Sequence, residues 1–492
     1  MRNQVQLIAY ADRLGGTLPG LGRLLDGPLA GLFGGVHVLP FFLPYDGVDA
    51  GFDPVDHLRV DPRMGGWDDL SRLGGSRDTV VDLIVNHMSA DAAPFRDVVE
   101  RGAGSSYAGM FLTYGTVFPG GASEADLVGI VRPRPGLPFT PMVLGGRRTL
   151  VWTTFTSRQV DLDVRHPQAR RYLTAVLERL AGFGVALVRL DAVGYAVKTA
   201  GTSCFMTPET IAFVVELTEQ AHRLGLQVLT EVHAHYRYAV ELARRVDRVY
   251  DFALPPLILH ALFTGDTRPL LGWLAARPAN AVTVLETHDG IGMVDVGAGQ
   301  SERGPGLLRA DQIDDLVARI RQNSGGTSRA SDARVAAGGG VYQVSCTGYD
   351  ALGRDDRRYL LARLLQLFAP GVPQVYYVGL LAGRNDLDRA ASTGEARELN
   401  RHRYTDAEVG EALRQPVVRA LIRLIRFRNA HPAFAGEFSV LDAPAGDVAL
   451  RWRAGAGEAV LVATPRDGRY RLTFSADDGG SRTVSDLAEL PY

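Results

Sequence analysis

Two cysteines, Cys204 and Cys346, are all that 492 residues contain, so no disulfide framework is implied and the usage fits a reducing compartment. Both read as small buried hydrophobes. An excess of one charge is lacking too: 53 basic against 55 acidic residues leave a formal net charge of −2, with no electrostatic footprint for nucleic acid. No run approaches the ~18 apolar residues needed to span a bilayer. The short apolar stretch in MRNQVQLIAYADR is interrupted at once by Asp12 and Arg13, far short of a signal-peptide core. A cytoplasmic protein with no membrane contact is therefore expected. Neither HExxH nor a paired-cysteine spacing occurs, so no metal site is expected. Internal repeats and low-complexity tails are missing as well.

What is present is a globular composition, 46% hydrophobic and 22% charged, in a chain long enough for one barrel with insertions and a smaller module. Short β-rich apolar runs recur, each followed by a helix-like segment, the pattern of a parallel sheet built from βα units. The expected strands are Val5 to Tyr10, Gly35 to Leu39, Val80 to Val85, Ala186 to Leu190, Gln227 to Thr230, Arg248 to Phe252, Ala281 to Leu285 and Gln374 to Val378. Eight of them predict an α/β fold, a closed (β/α)₈ TIM barrel, over 1–87, 161–294 and 356–433. The segment 88–160, rich in Gly, Pro and aromatics, reads as an inserted subdomain, and 295–355 as a loop-rich insertion. Within the latter, SGGTSRASDARVAAGGG is either a mobile active-site loop or an inert linker, and composition favours the linker. Alternating runs such as VALRWRA and EAVLVAT predict a small antiparallel β module over 434–492.

Several strands end in charged residues where ordinary turns would carry Gly or Asn. Asp191 ends VALVRLD, Glu231 follows LQVLT, and Asp289 follows AVTVLETH. A single such Asp reads best as a helix N-cap. Three acids at the same end of three strands of one barrel suit a different task, because the C-terminal ends of the strands carry the active site. Cleaving a glycosidic bond takes a carboxylate on one face of the sugar and a proton donor on the other, about 5–5.5 Å apart when the configuration is retained. Arg189 lies two residues before Asp191, so period-two alternation puts both side chains on one side of the strand. Its guanidinium is expected to lower the pKa of Asp191, as suits a nucleophile. The apolar run before Glu231 suits a raised pKa and a general acid. His87 and His288 are candidate donors to sugar hydroxyls, against the reading that each is a structural residue. Acid, base and covalent carboxylate chemistry needs no organic cofactor.

The series VRLDAVGY, LTEVH and ETHDG resembles the ordered motifs of the α-amylase superfamily, glycoside hydrolase family thirteen. VQLIAYADRLG, GVHVLPFFLPYDGVDAGFDPVDH, VDLIVNHMS, GIVRPRPGLPFT, AGTSCFMTPET, RVYDFALPPLILHAL, PGVPQVYYVGLLAGRND and ELNRHRY narrow it to the sucrose phosphorylase subfamily, from residue 4 to about residue 435. The resemblance implies a phosphorylase of α-glucosides, with sugar and inorganic phosphate as its small-molecule partners and pairing as a homodimer. Asp191 would be the nucleophile, Glu231 the acid and Asp289 the transition-state stabiliser. Asp49, Phe52, His87, Phe155, Arg189, His288 and Arg401 would surround the glucose. Arg134, Tyr195, Val232, Tyr342 and Gln343 would line the acceptor and phosphate side, with Arg132 close to Arg134.

Departures from the pattern concentrate on that acceptor side. The family's SNLDLYQVN reads AAGGGVYQVSCT here, so Gly340 stands where an Asp contacts fructose and Gly339 where a Leu is usual; Val131 replaces a usual Tyr. Losing that carboxylate changes acceptor selectivity by roughly 1–3 kcal/mol, and it favours a phosphorylated acceptor electrostatically, as do Arg329, Arg334 and His235. The order of expectation is sucrose, then sucrose 6′-phosphate, then glucosylglycerol. An α-glucosidase-type hydrolase is the rival chemistry, and a non-catalytic barrel subunit of a transporter the rival class.

Overall fold

The computed structural model describes residues 1–298, 304–333, 340–476 and 479–492. Eight strands close into a barrel: β1 (Gln6–Ala9), β2 (Gly35–Val38), β3 (Asp78–Ile84), β4 (Leu187–Asp191), β5 (Gln227–Thr230), β6 (Arg248–Asp251), β7 (Ala281–Thr283) and β8 (Val372–Tyr376). All neighbours are parallel and follow chain order, and Gln6 opposite Gln374 closes β1 on β8. The strands are mainly apolar and buried on both faces, because helices cover the outside and side chains, several of them polar, fill the inside. The eight expected runs are these strands, with ends displaced by up to two residues. β8 is displaced most, since Tyr377 already opens a short helix, Tyr377–Leu380, at the strand's end.

Helices between strands start where the chain supplies caps. The helix Pro167–Gly182 has the His166 ring accepting from Gln168 N–H and a proline in its first turn; Ala169, Leu173, Val176, Leu177 and Leu180 form its buried stripe. Thr207 caps Pro208–Arg223 in the same way. Below the mouth, the barrel interior is polar: Asp82 of β3 bonds His37 of β2 at 3.0 Å, and the Tyr250 hydroxyl of β6 donates to Gln374 of β8 at 3.0 Å. Such groups persist in a core only when paired.

Between β3 and the helix at Pro167, His87–Ser89 pairs with Gln159–Asp161, and a hairpin joins Phe139–Leu144 to Arg147–Trp152. Between β7 and β8, Ile291–Gly292, Gly340–Ser345 and Arg329–Ala333 form a three-stranded sheet. A five-stranded antiparallel sheet starts at Glu437 and runs in chain order to Val484. Among the described residues, no helix is long and apolar enough to cross a membrane.

Candidate active site

Asp191 is the last residue of β4, and the chain turns sharply after it because Ala192 adopts a left-handed conformation, φ +52°. That turn aims the Ala192 N–H at Glu231, whose Oε2 accepts it at 2.9 Å. Glu231 directly follows β5 and continues its pairing, its N–H donating to Leu190 O at 3.2 Å. Arg189 lies beneath both acids. Its Nη1 donates to Asp191 Oδ1 at 2.8 Å and to Asp82, and its Nη2 stands 4.0 Å from Glu231 Oε2.

Asp289 comes by a different route. The expectation placed it at a strand end, but β7 stops at Thr283 and Asp289 sits in a loop turn closed by reciprocal Thr287 and Gly290 backbone bonds of 3.1 and 3.0 Å. Between strand and turn, Glu286 makes a buried ion pair with Arg363. Two arginines then fix the Asp289 carboxylate: Arg397 at 3.1 Å and Arg401 at 3.5 Å, both also holding Asp49, at 2.6 and 3.3 Å. Arg397 was not anticipated. It lies four residues before Arg401 in ELNRHRY, and that spacing was the available signal.

The acids and their surroundings line one cavity of about 620 Å³, the open solvent at its mouth included: Asp49, Phe52, His87, Phe155, Asp191, Tyr195, Glu231, Val232, His288, Asp289, Tyr342 and Gln343, together with the unanticipated Pro133, Gln159, Phe205, His233 and Arg397. Phe52 stacks on His288 with centroids 5.0 Å apart and planes 7° from parallel, and Phe155 packs edge-on against Tyr195 at 5.4 Å. His87 Nε2 lies 2.8 Å from the Phe52 carbonyl, tying the strand end to the loop that carries Asp49. Arg134, Arg401 and Arg397 line an outer vestibule of about 1410 Å³ that shares Tyr342 and Gln343 with the cavity.

On the acceptor side, four expectations need correction. Arg132 is not free for an anion, because its guanidinium is spent on backbone carbonyls, Thr154 O at 3.0 Å and Phe155 O at 2.9 Å. Gly340 stands exposed at the start of its strand and lines neither space. Arg329 folds back onto the carbonyls of Gly326, Thr327 and Ser328. His235 borders a neighbouring cavity with Val131. Arg334 and Gly339, with the rest of 334–339, lie outside the described residues.

The electrostatics separate the acids. Burial pushes Asp191 well above the ordinary carboxylate range; Arg189 opposes it, and Glu231, Asp82 and Asp289 reinforce it. A lowered value had been expected from Arg189 alone; the dry surroundings and three nearby carboxyls outweigh one guanidinium. Burial also raises Asp289, but Arg397, His288, Arg401 and His233 outweigh it and hold it far below the ordinary range. Asp49, likewise opposed by burial, is pulled down to about 2 by Arg397 and Arg401. Burial takes His288 to about 3 and lowers His87, so both rings are neutral hydrogen-bonding groups. Glu231, His233 and Asp289 offer atoms within 4.8 Å of one another, a set near enough to close on one cation.

A parallel barrel whose mouth joins an arginine-held aspartate, a glutamate and a second, doubly paired aspartate defines the α-amylase class, and the family model for the alpha amylase catalytic domain matches residues 16–253. Over 96% of its length the chain is 53% identical to a sucrose phosphorylase of Agrobacterium vitis, covering 98% of that protein. It is 49% identical to a sucrose phosphorylase of Bifidobacterium adolescentis, over 95% of this chain and 93% of the relative. The crystal structure of a sucrose 6F-phosphate phosphorylase from Thermoanaerobacter thermosaccharolyticum superimposes with a TM-score of 0.92 at 36% identity, covering 99% of this chain and 98% of that one. The chain belongs to the sucrose phosphorylase family.

Proposed function

We propose that the protein splits sucrose with inorganic phosphate, giving α-D-glucose 1-phosphate and fructose, by double displacement on Asp191. As sucrose binds, the proton of the Asp191–Glu231 pair settles on Glu231; Glu231 gives it to the glycosidic oxygen while an oxygen of Asp191, now ionised against Arg189, bonds to the anomeric carbon, and fructose leaves with that proton. Hydrogen phosphate then enters through the vestibule, bonds to the same carbon, displaces the Asp191 ester and returns a proton to Glu231. Two inversions retain the α configuration. Asp289 and Asp49, kept ionised by Arg397 and Arg401, hold ring hydroxyls. Arg134, bordering the vestibule, receives the phosphate.

The observation that supports this reading is Arg189 reaching the Asp191 and Glu231 carboxyls together, with both carboxyls lining one cavity. Incubation with sucrose and phosphate is the test: glucose 1-phosphate in step with fructose is the expected result, and free glucose alone would mean a hydrolase. A phosphorylated acceptor is the second reading, favoured by the three arginines, Arg134, Arg397 and Arg401, that border the vestibule. Synthesis from glucose 1-phosphate with fructose, fructose 6-phosphate, glycerol and glycerate ranks the acceptors.

A further inference from the structure

Behind the acid lies a second charged pair that the double displacement does not use. His233 follows Glu231 by two residues, and its ring lies on Phe252 with centroids 3.8 Å apart and planes 18° from parallel. Its Nδ1 is 3.3 Å from Asp295 Oδ2, while Asp295 Oδ1 accepts the Ala234 N–H at 3.2 Å. Its Nε2 borders the cavity 3.6 Å from Glu231 Oε1 and makes no hydrogen bond among the described residues, although it is buried. Gly292 makes room for the pair: a Cβ there would stand 2.8 Å from Asp295 Oδ2 and 3.2 Å from His233 Nδ1. One ring nitrogen is therefore committed to a carboxylate, and the other is aimed at the reaction space without a partner.

A carboxylate on one imidazole nitrogen fixes the proton there, sets the ring's orientation and stabilises the imidazolium. Once Glu231 has protonated the leaving oxygen it is an anion beside the path of an incoming anion, and phosphate must overcome that repulsion. We infer that Asp295 is a positioning residue for the phosphate half of the reaction: it orients His233 with Nδ1–H toward itself and Nε2–H toward Glu231 and the acceptor side, where the ring donates to phosphate. The inference rests on the phosphorylase reading above. The groups facing His233 are Asp295, Glu231 and Asp289, with Tyr342 edge-on at 5.9 Å; Arg189, Asp191 and Tyr195 face Glu231 in turn. Burial disfavours the charged ring, but the Asp295 hydrogen bond and the three carboxylates outweigh it and raise its pKa.

Steady-state phosphorolysis by the wild type, Asp295→Asn and Gly292→Ala, with sucrose and phosphate varied separately between pH 5.5 and 8.5, tests this. Asp295→Asn keeps an acceptor for Ala234 N–H but no longer supports a cationic ring. The expected result is a KM for phosphate about tenfold higher, a KM for sucrose within twofold, and an alkaline limb of kcat/KM for phosphate displaced to lower pH. Gly292→Ala, which removes no charge, should move the same parameters by less, and it stands in should Asp295→Asn fail to fold. Equal losses for both substrates with an unchanged pH profile would reduce Asp295 to structural support and overturn the inference. A wild type that makes no glucose 1-phosphate would overturn the phosphorylase reading and this inference together, a failure visible before any variant is measured.

Discussion

Arg189 shows how much of the site depends on one side chain. Its Nη1 donates to Asp82 and Asp191 at once while its Nη2 stays within reach of Glu231, a spread over two nitrogens that a lysine's single ammonium cannot reproduce. Arg189→Lys should lower kcat by roughly a hundredfold at near-normal KM for sucrose, and Asp191→Asn by roughly a thousandfold or more, read from fructose release. Asp53, just beyond Phe52, is a different case. Burial pushes its carboxyl up to about 7, against the Val48 N–H and with the Asp49 charge adding to the rise. In the unfolded chain an aspartate titrates near 3.9, so between about pH 4 and 7 the folded protein binds a proton that the unfolded chain has released, and stability falls as pH rises through that window. Asp53→Asn should flatten the dependence of melting temperature on pH from 5 to 8. It should also be the more stable protein at pH 8, by about 1–3 kcal/mol.

At the scale of elements, the turn at Asp289 is coupled to the strand that bears Tyr342 and Gln343. Gly290 has φ +97°, and a Cβ on it would meet Val344 O at 2.3 Å. Gly290→Ala must therefore strain the backbone and push that strand outward, at a cost of about 1–3 kcal/mol. A lower melting temperature together with a several-fold higher KM for the sugar acceptor in the synthetic direction is the expected outcome; an altered melting temperature alone would mean the strand's position does not matter to the acceptor. The same region shows what could be read from the sequence and what could not. Barrel strands buried on both faces are continuous apolar runs, so β1 to β8 were visible as such. Asp191 and Glu231 were equally visible as acids at the ends of those runs, although Asp251 at the end of β6 bonds Trp273 and Arg277 and lines no part of the site. Ahead of the Asp289 turn, Glu286 finds Arg363, a contact 77 residues away that no local pattern records. Arg132 looked like an anion ligand because carbonyls that accept its hydrogen bonds belong to a distant segment. The direction of the Asp191 pKa was misjudged for a related reason: the sequence displays the neighbouring arginine but not the exclusion of water.

For the molecule as a whole, the C-terminal sheet is fastened to the barrel at its N-terminal side, through the helix Pro416–Ala430. Arg428 of that helix is buried, bonding Leu367 O at 3.1 Å, Gly371 O at 3.2 Å and Asn3 Oδ1 at 2.9 Å, and it lies 4.7 Å over the Phe434 ring. Asn3 in turn donates to Phe434 O at 2.8 Å, so the segment before β1, the last barrel helix and the turn that leads into the sheet meet at one point. Trp452 is the sheet's main contribution there: its ring packs on Phe434 and Phe438, and its Nε1–H donates to Phe368 O at 2.8 Å. None of these groups lines the cavity. Trp452→Ala should therefore cost about 3–5 kcal/mol through the void it leaves, whereas Trp452→Phe, which keeps most of the ring, should cost about 1–2 kcal/mol, much of it the unpaired Phe368 carbonyl. Both should leave the KM for sucrose and phosphate unchanged in protein that remains folded at 25 °C. A change in either KM that tracks the loss of melting temperature across the two variants would show instead that the sheet helps to hold the barrel mouth in shape, through β1 and the helix that Arg428 anchors.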